Sequence, residues 1–299
     1  MGTIFAINIP RVSLPAEELF KIGPLEITNS NLTMMIVMAA ILIFFMLVVR
    51  KLSIIPGRRQ AIAELAVDGL LGFTVSTAGS RSLGRKIFPL AATLFIFILC
   101  ANYSGLLPGV GSIYIKKDVP VAASSVADLK PEEKTRFTQT NPNGSGVLHN
   151  EEVPIFRSPN ADLNMTLAMA LIVVVLVQYL GIRSHGPGGY IKELFTPAFL
   201  GPIHIIGELS RIVSLAFRLF GNIFGGEVLV TMMYALTFVL IPTVFLGLEL
   251  FFGLIQALVF TILTIIYIQL AVAGHGDSHG DEAEHEDPVL ASAADHMPF

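Results

Sequence analysis

From Pro202 to Ala273 the chain is almost continuously apolar, yet Arg218, Asn222, Glu227, Glu249 and Gln256 stand inside that run. Arginine keeps its charge in a protein, and placing it mid-membrane costs about 2.5 to 3.5 kcal/mol on insertion scales. Such a cost persists only where the cation faces a polar cavity or a counter-charge. The composition agrees with a membrane setting: 53% of the 299 residues are hydrophobic and 14% are charged, against roughly 25% charged in soluble domains. These values exclude an ordinary soluble domain and indicate a polytopic membrane protein.

The remaining apolar runs set the organisation. Leu32 to Val49 is long enough for a bilayer helix, and Arg50, Lys51, Arg58 and Arg59 follow it. By the positive-inside rule that end is cytoplasmic and the N-terminus lies outside. Ile62, Leu65, Ala66, Leu70 and Phe73 then recur at three- and four-residue spacing between basic flanks. This pattern suits an amphipathic helix on the cytoplasmic interface, with an ordinary connecting helix as the alternative. Ile87 to Leu107 is the second span and Asn164 to Ile182 the third. Residues 108–163 between them read as a polar external loop or small hairpin, either a subunit contact or a tolerated insertion. The glycines and proline of "RSHGPGGYIKELF" mark a loop. Pro242 gives the best break in the last apolar run. It leaves two helices of roughly 45 to 60 Å each, too long for a core about 30 Å thick unless they tilt, curve or overrun it.

The expected fold is therefore an all-α integral membrane protein, with about five transmembrane helices and one interfacial helix. Residues 1–31 form an external N-terminal segment, 32–273 the membrane domain, and 274–299 an acidic, histidine-rich cytoplasmic tail expected to be disordered. His275, His279 and His285 in that tail fit no defined metal-site spacing. The lone Cys100 lies in an apolar run, reads as inert packing and forms no intrachain disulfide. "MGTIFAINIP" lacks the features of a cleaved signal peptide. "GSRSLGRK" lacks the Gly-Lys-Ser/Thr ending of a phosphate-binding loop, so no nucleotide site of that type is expected.

On a helix, Arg211, Ser214, Arg218, Asn222 and Gly225 share one face. Glu249, Gly253, Gln256 and Phe260 share another on the next helix. An antiparallel pair would bring Glu227 and Glu249 to similar depth and Gln256 within about a turn of Arg218. Two carboxylates at one depth and an arginine deeper in form a proton path beside a fixed positive charge. The structural alternative is an internal salt bridge among the same groups.

At this point "SLAFRLFGNIFGGE" resembles the arginine motif of the subunit a family of F-type ATP synthases. "GRKIFPLAATLFIFILCANYSGLLPG", "SPNADLNMTLAMAL", "GPGGYIKELF", "GELSR" and "GLIQALVFTILTIIYI" resemble the family's other motifs, in order, over most of residues 30–273. The resemblance implies a proton-conducting stator, not a catalyst on its own, with its last two helices as a steeply tilted hairpin against a rotating ring of c subunits. It implies the c-ring, the b subunits, the rest of the synthase and the lipid bilayer as partners. It implies no cofactor, no metal and no nucleic acid. H+ is expected as the transported ion rather than Na+, in a bacterial inner membrane.

The resemblance also places the family's essential arginine on Arg218, outer-path polar positions on Asn222 and Glu227, and the glutamine facing the arginine on Gln256. Glu249 falls where relatives carry His or Glu. His204 holds a cytoplasmic-side position that is often Glu, with Glu208 one turn on as the other candidate, and Arg211 and Ser214 support the same face. A stand-alone ion channel or secondary transporter is the alternative function, and a structural anchor of a respiratory complex the third. The former requires its own counter-ion for Arg218 and an internal repeat, and no repeat is visible in the sequence.

Overall fold

The structure is a computed structural model that describes residues 14–23, 25–50, 57–107, 109–110, 113–121, 139–140, 147–194, 201–236 and 240–273. The acidic tail falls outside these residues. A hairpin of β1 (Glu18–Ile22) and β2 (Leu25–Thr28) turns at Gly23, whose φ of 61° favours glycine. It runs directly into α1 (Asn29–Val49), three residues earlier than the apolar pattern begins. The Thr28 hydroxyl caps this helix by accepting the Asn31 N–H at 3.2 Å.

Helix α2 (Arg58–Ala78) ends at Gly79 in the left-handed conformation, and α3 (Arg81–Ser104) starts at once from the Ser80 cap. The two helices cross closely because residue 84 is glycine: a Cβ there would lie 2.6 Å from the Val75 Cα. Only the C-terminal half of α2 packs inward, through Thr74 and Ala78. Ile62 and Leu65, expected on its apolar face, are exposed.

Two short antiparallel pairings follow, with β3 (Tyr114–Val121) and β4 (Gln139–Thr140) on either side of β5 (Val147–Pro154). The hairpin expectation for this segment holds for β3 and β5. The end of the segment departs from a polar external loop. Arg157, Ser158, Asn160, Ala161 and Asp162 are buried, around a 3-10 turn at Pro159–Ala161.

Helix α4 (Leu163–Leu194) is interrupted in the stretch read as a loop: Gly186, at φ 75° and ψ 157°, is non-helical and divides it into two helical stretches, so the loop shrinks to a kink. Helices α5 (Gly201–Leu236) and α6 (Leu240–Ala273) are the long pair. Helix α5 ends at Leu236 and α6 begins at Leu240, so the expected break stands just ahead of Pro242. Pro242 occupies the first turn of α6, where the missing N–H has no helical acceptor to lose. Helices α3 to α6 share the core, with Leu83, Ile87, Val173, Leu219, Phe260 and Ile265 among its buried side chains.

Six segments of the described residues are long and apolar enough to cross a membrane by length and composition. They are Asn29–Leu47, Gln60–Ala78, Arg81–Ser104, Leu163–Gly186, Ile205–Tyr234 and Ile241–Ala273. The chain is an all-α, multi-pass membrane protein with small strand pairs attached. Helix α2, set apart in the sequence as interfacial, is thus a sixth candidate by this measure, and its Glu64 and Asp68 are exposed.

The α2–α3 crossing gives a direct test. Gly84→Val presses side chain into backbone and should destabilise the detergent-purified chain by about 1 to 3 kcal/mol. Gly72 has nothing within 4 Å of its Cβ position, so Gly72→Val should cost much less. Thermal unfolding midpoints measured for both variants check this.

Candidate functional site

Helix α5 divides lengthwise. Leu215, Ala216, Leu219, Phe220 and Ile223 are buried. Val213, Phe217 and Arg218 are exposed on the other side. Arg218 has one described hydrogen bond, from Nη2 to the Ser214 hydroxyl one turn back at 3.5 Å. It has no carboxylate within ion-pair distance among the described residues. A Cβ at Gly221 or Gly225 would meet nothing within 4 Å. The surface beside the cation is therefore open and carries small and apolar residues.

Two contacts fix the antiparallel register of α5 on α6. The Asn222 amide donates to the Phe252 carbonyl at 3.5 Å. One turn further on, the Glu249 carboxyl fills the space left by Gly226, where a Cβ would lie 2.8 Å from its Oε1. The two glutamates therefore stand at one level, as their spacing predicts. Continuing the register in the other direction puts Gln256 at the level of Arg218. The two do not hydrogen-bond: Gln256 is buried and its Nε2 has no partner among the described residues.

Beside the carboxylates stands a residue the sequence reading missed. Arg157, 4% exposed, donates from Nε to Glu227 Oε2 at 3.2 Å and from Nη1 to the Pro15 carbonyl at 3.2 Å. Its backbone N–H donates to the Thr33 hydroxyl at 3.3 Å. The guanidinium also lies 5.6 Å from the centre of the Phe224 ring. One signal could have found it. Two carboxylates in an apolar hairpin need a cation, and Arg218 lies about two turns from either of them.

A chain of buried amides joins the same end of the bundle. Asn160 Nδ2 donates to Asn102 Oδ1 at 2.7 Å, and Asn102 Nδ2 donates to the Gly253 carbonyl at 2.9 Å. Asn102 and Asn222 thus reach adjacent carbonyls of α6 from opposite sides.

Toward the N-terminus of α5, Arg211 pairs with Glu208 at 2.7 Å and stacks on the Tyr267 ring of α6, 4.3 Å from its centre. Arg211 shares the predicted face but is committed to Glu208 and Tyr267. The His204 side chain lies outside the described residues. The structure therefore separates a cluster of buried Arg157 with half-buried Glu227 and Glu249 from a Glu208–Arg211 pair, with Arg218, unpaired among the described residues, between them. No group of three or more metal-binding side chains occurs among the described residues.

Comparison with known proteins adds the following. The family described as ATP synthase A chain matches residues 32–269. The chain is 36% identical over 259 residues to ATP synthase subunit a of Moorella thermoacetica, covering 86% of this chain and 97% of that one. It is 32% identical to ATP synthase subunit a 2 of a Bradyrhizobium species, covering 85% and 93% respectively. The subunit a of Syntrophobacter fumaroxidans is 32% identical over 243 residues, covering 79% and 81%.

The register of α5 on α6 is testable without assuming a function. The Glu249 Cγ lies 3.3 Å from the Cβ position of residue 226, which suits disulfide geometry. With Cys100→Ser as background, Gly226→Cys combined with Glu249→Cys should cross-link on mild oxidation. Gly221→Cys with Glu249→Cys should not. Mobility on non-reducing gels reads the result.

Proposed function

The chain belongs to the ATP synthase A chain family, and from that premise we propose that it is the proton-translocating stator subunit of the Fo sector of an F-type ATP synthase. It offers two aqueous half-channels and one fixed arginine to a rotating ring of c subunits, held in place by the b subunits and the rest of the complex. It sits in a bacterial inner membrane with its N-terminus outside and its tail in the cytoplasm, and the ion is H+. The observation that carries the reading is Arg218: a permanent cation on an open apolar helix face, whose one described bond is to Ser214 of its own helix.

The mechanism follows from charge and solvation. A c-subunit carboxyl crosses lipid protonated, because a bare carboxylate there is too costly. At the open face beside Arg218 it meets a cation, which favours its ionised form, and the proton leaves through one half-channel. The ring turns, and the carboxylate takes a proton from the other half-channel. Arg218 repels cations and never carries a proton, so it also blocks direct leakage between the two. Each charge that crosses the membrane potential contributes about 2.3 kcal/mol per 100 mV.

Asn222, Glu227 and Glu249 line the outer path, and Gln256 stands at the level of the arginine. Glu208, held by Arg211, takes the cytoplasmic role together with His204. A stand-alone channel or transporter would carry its own counter-ion for Arg218. The described residues supply none within ion-pair distance, which supports a partner arriving from another chain.

Arg218→Ala should abolish ATP synthesis and ATP-driven pumping in membrane vesicles while allowing passive leak along the ring. Arg218→Lys should fail too, since lysine keeps the charge but lacks the planar guanidinium and loses its proton readily when buried. Near-normal coupled pumping in Arg218→Ala would refute the reading.

A further inference from the structure

Arg157 lies in a segment whose composition reads as a loop, yet it is nearly inaccessible and is gripped from three parts of the fold. Its guanidinium reaches Glu227 on α5 and the Pro15 carbonyl ahead of the N-terminal hairpin, its backbone N–H binds Thr33 on α1, and Phe224 lies under its plane. A cation held this way cannot follow a moving proton. It also cannot lose its charge.

The two carboxylates beside it differ in one respect. Glu227 is in direct ion-pair contact with Arg157. Glu249 sits over Gly226 and makes no hydrogen bond or ion pair among the described residues. The charged groups facing each other here are Arg157 from the loop, Glu227 from α5, Glu249 from α6 and Glu17 from the N-terminal segment. Glu17 lies near enough to act electrostatically on Glu227 and has interactions of its own. To take a proton, Glu227 must give up its pair with the buried Arg157. Among the described residues, Glu249 has no such pair to give up.

We propose that Arg157 is a positioning residue that holds Glu227 as its permanent counter-ion and so leaves Glu249 as the carboxyl that takes and passes protons. The assignment rests on the outer-path reading given above. Glu227 then acts as a fixed charge that shapes the path, and Glu249 as the mobile proton site. The N-terminal segment and α1, through Pro15 and Thr33, become part of the frame that keeps the two roles apart.

The test uses the assembled synthase in membrane vesicles, reading ATP-driven pumping against the amount of complex present. Arg157→Gln should lower pumping roughly tenfold or more, because it strands the Glu227 charge. Adding Glu227→Gln to that chain should recover pumping severalfold, and Arg157→Lys should fall between Arg157→Gln and the native chain. Glu249→Gln should cost more than Glu227→Gln, and should stop pumping in the Arg157→Gln/Glu227→Gln background as well. A merely structural arginine would give no recovery when its counter-charge is removed, and that result overturns the assignment. If Arg157→Gln fails to assemble, the two glutamate variants decide: equal losses, or a greater loss from Glu227→Gln, overturn it. Those results leave the outer-path reading standing. Intact pumping in Glu227→Gln/Glu249→Gln would overturn that reading and the assignment together.

Discussion

The seating of Glu249 in the gap left by Gly226 sets how α5 lies along α6, and the other placements depend on it. With that register, Asn222 reaches the Phe252 carbonyl, Gln256 comes level with Arg218, and the two glutamates share one depth. A single methyl group at residue 226 would collide with the carboxyl. Gly226 thus makes room for a side chain, whereas Gly84 makes room for the backbone of α2 at Val75.

The ionic groups of this hairpin occupy three different settings, and physical scale separates their roles. In the Arg157–Glu227 pair the guanidinium is buried while 33% of the Glu227 side chain stays exposed, so the cost of losing the partner falls on the buried cation. Arg211 and Glu208 pair across one turn with nearly a third of each side chain exposed, and pairs of that kind contribute about 1 kcal/mol or less. The Tyr267 ring under Arg211 adds a contact that fixes the guanidinium against α6. Arg218 has no charged partner within reach among the described residues. Its solvation must come from water or from another molecule, and for this reason its surroundings are open where those of Arg157 are closed.

The amide chain from Asn160 through Asn102 to Gly253 ties the end of α3 to the middle of α6. Buried polar groups of this kind are costly unless paired. Here both side-chain NH2 groups are paired, one with the other amide and one with a helix carbonyl, which fastens the loop carrying Arg157 onto the bundle. Ser158 adds a bond to the Ala101 carbonyl at 3.2 Å, and Gly105 leaves room for the Ser158 side chain.

The sequence alone determined the membrane class, the long paired helices and the shared faces of Arg218, Asn222, Glu249 and Gln256. Helical periodicity and apolar run length are local properties, and they survive folding in a bilayer. The common depth of Glu227 and Glu249 was also legible, because two antiparallel helices so close together in the chain have little freedom of register. Local reading also placed the breaks near Gly186 and Pro242, but took the residues after Gly186 for a loop where a second helical stretch begins. Glycine at positive φ interrupts a helix, and proline is tolerated in a first turn, where the helix makes no bond to its nitrogen. Only the tertiary structure decided which carboxylate has a partner. Arg157 lies 70 residues before Glu227, in a segment whose polarity marks it as exposed. No spacing rule reaches across that interval. The pair exists because β5 and the turn at Pro159–Ala161 fold the loop back between α1 and α5, where a half-buried carboxylate gives the buried guanidinium its counter-charge.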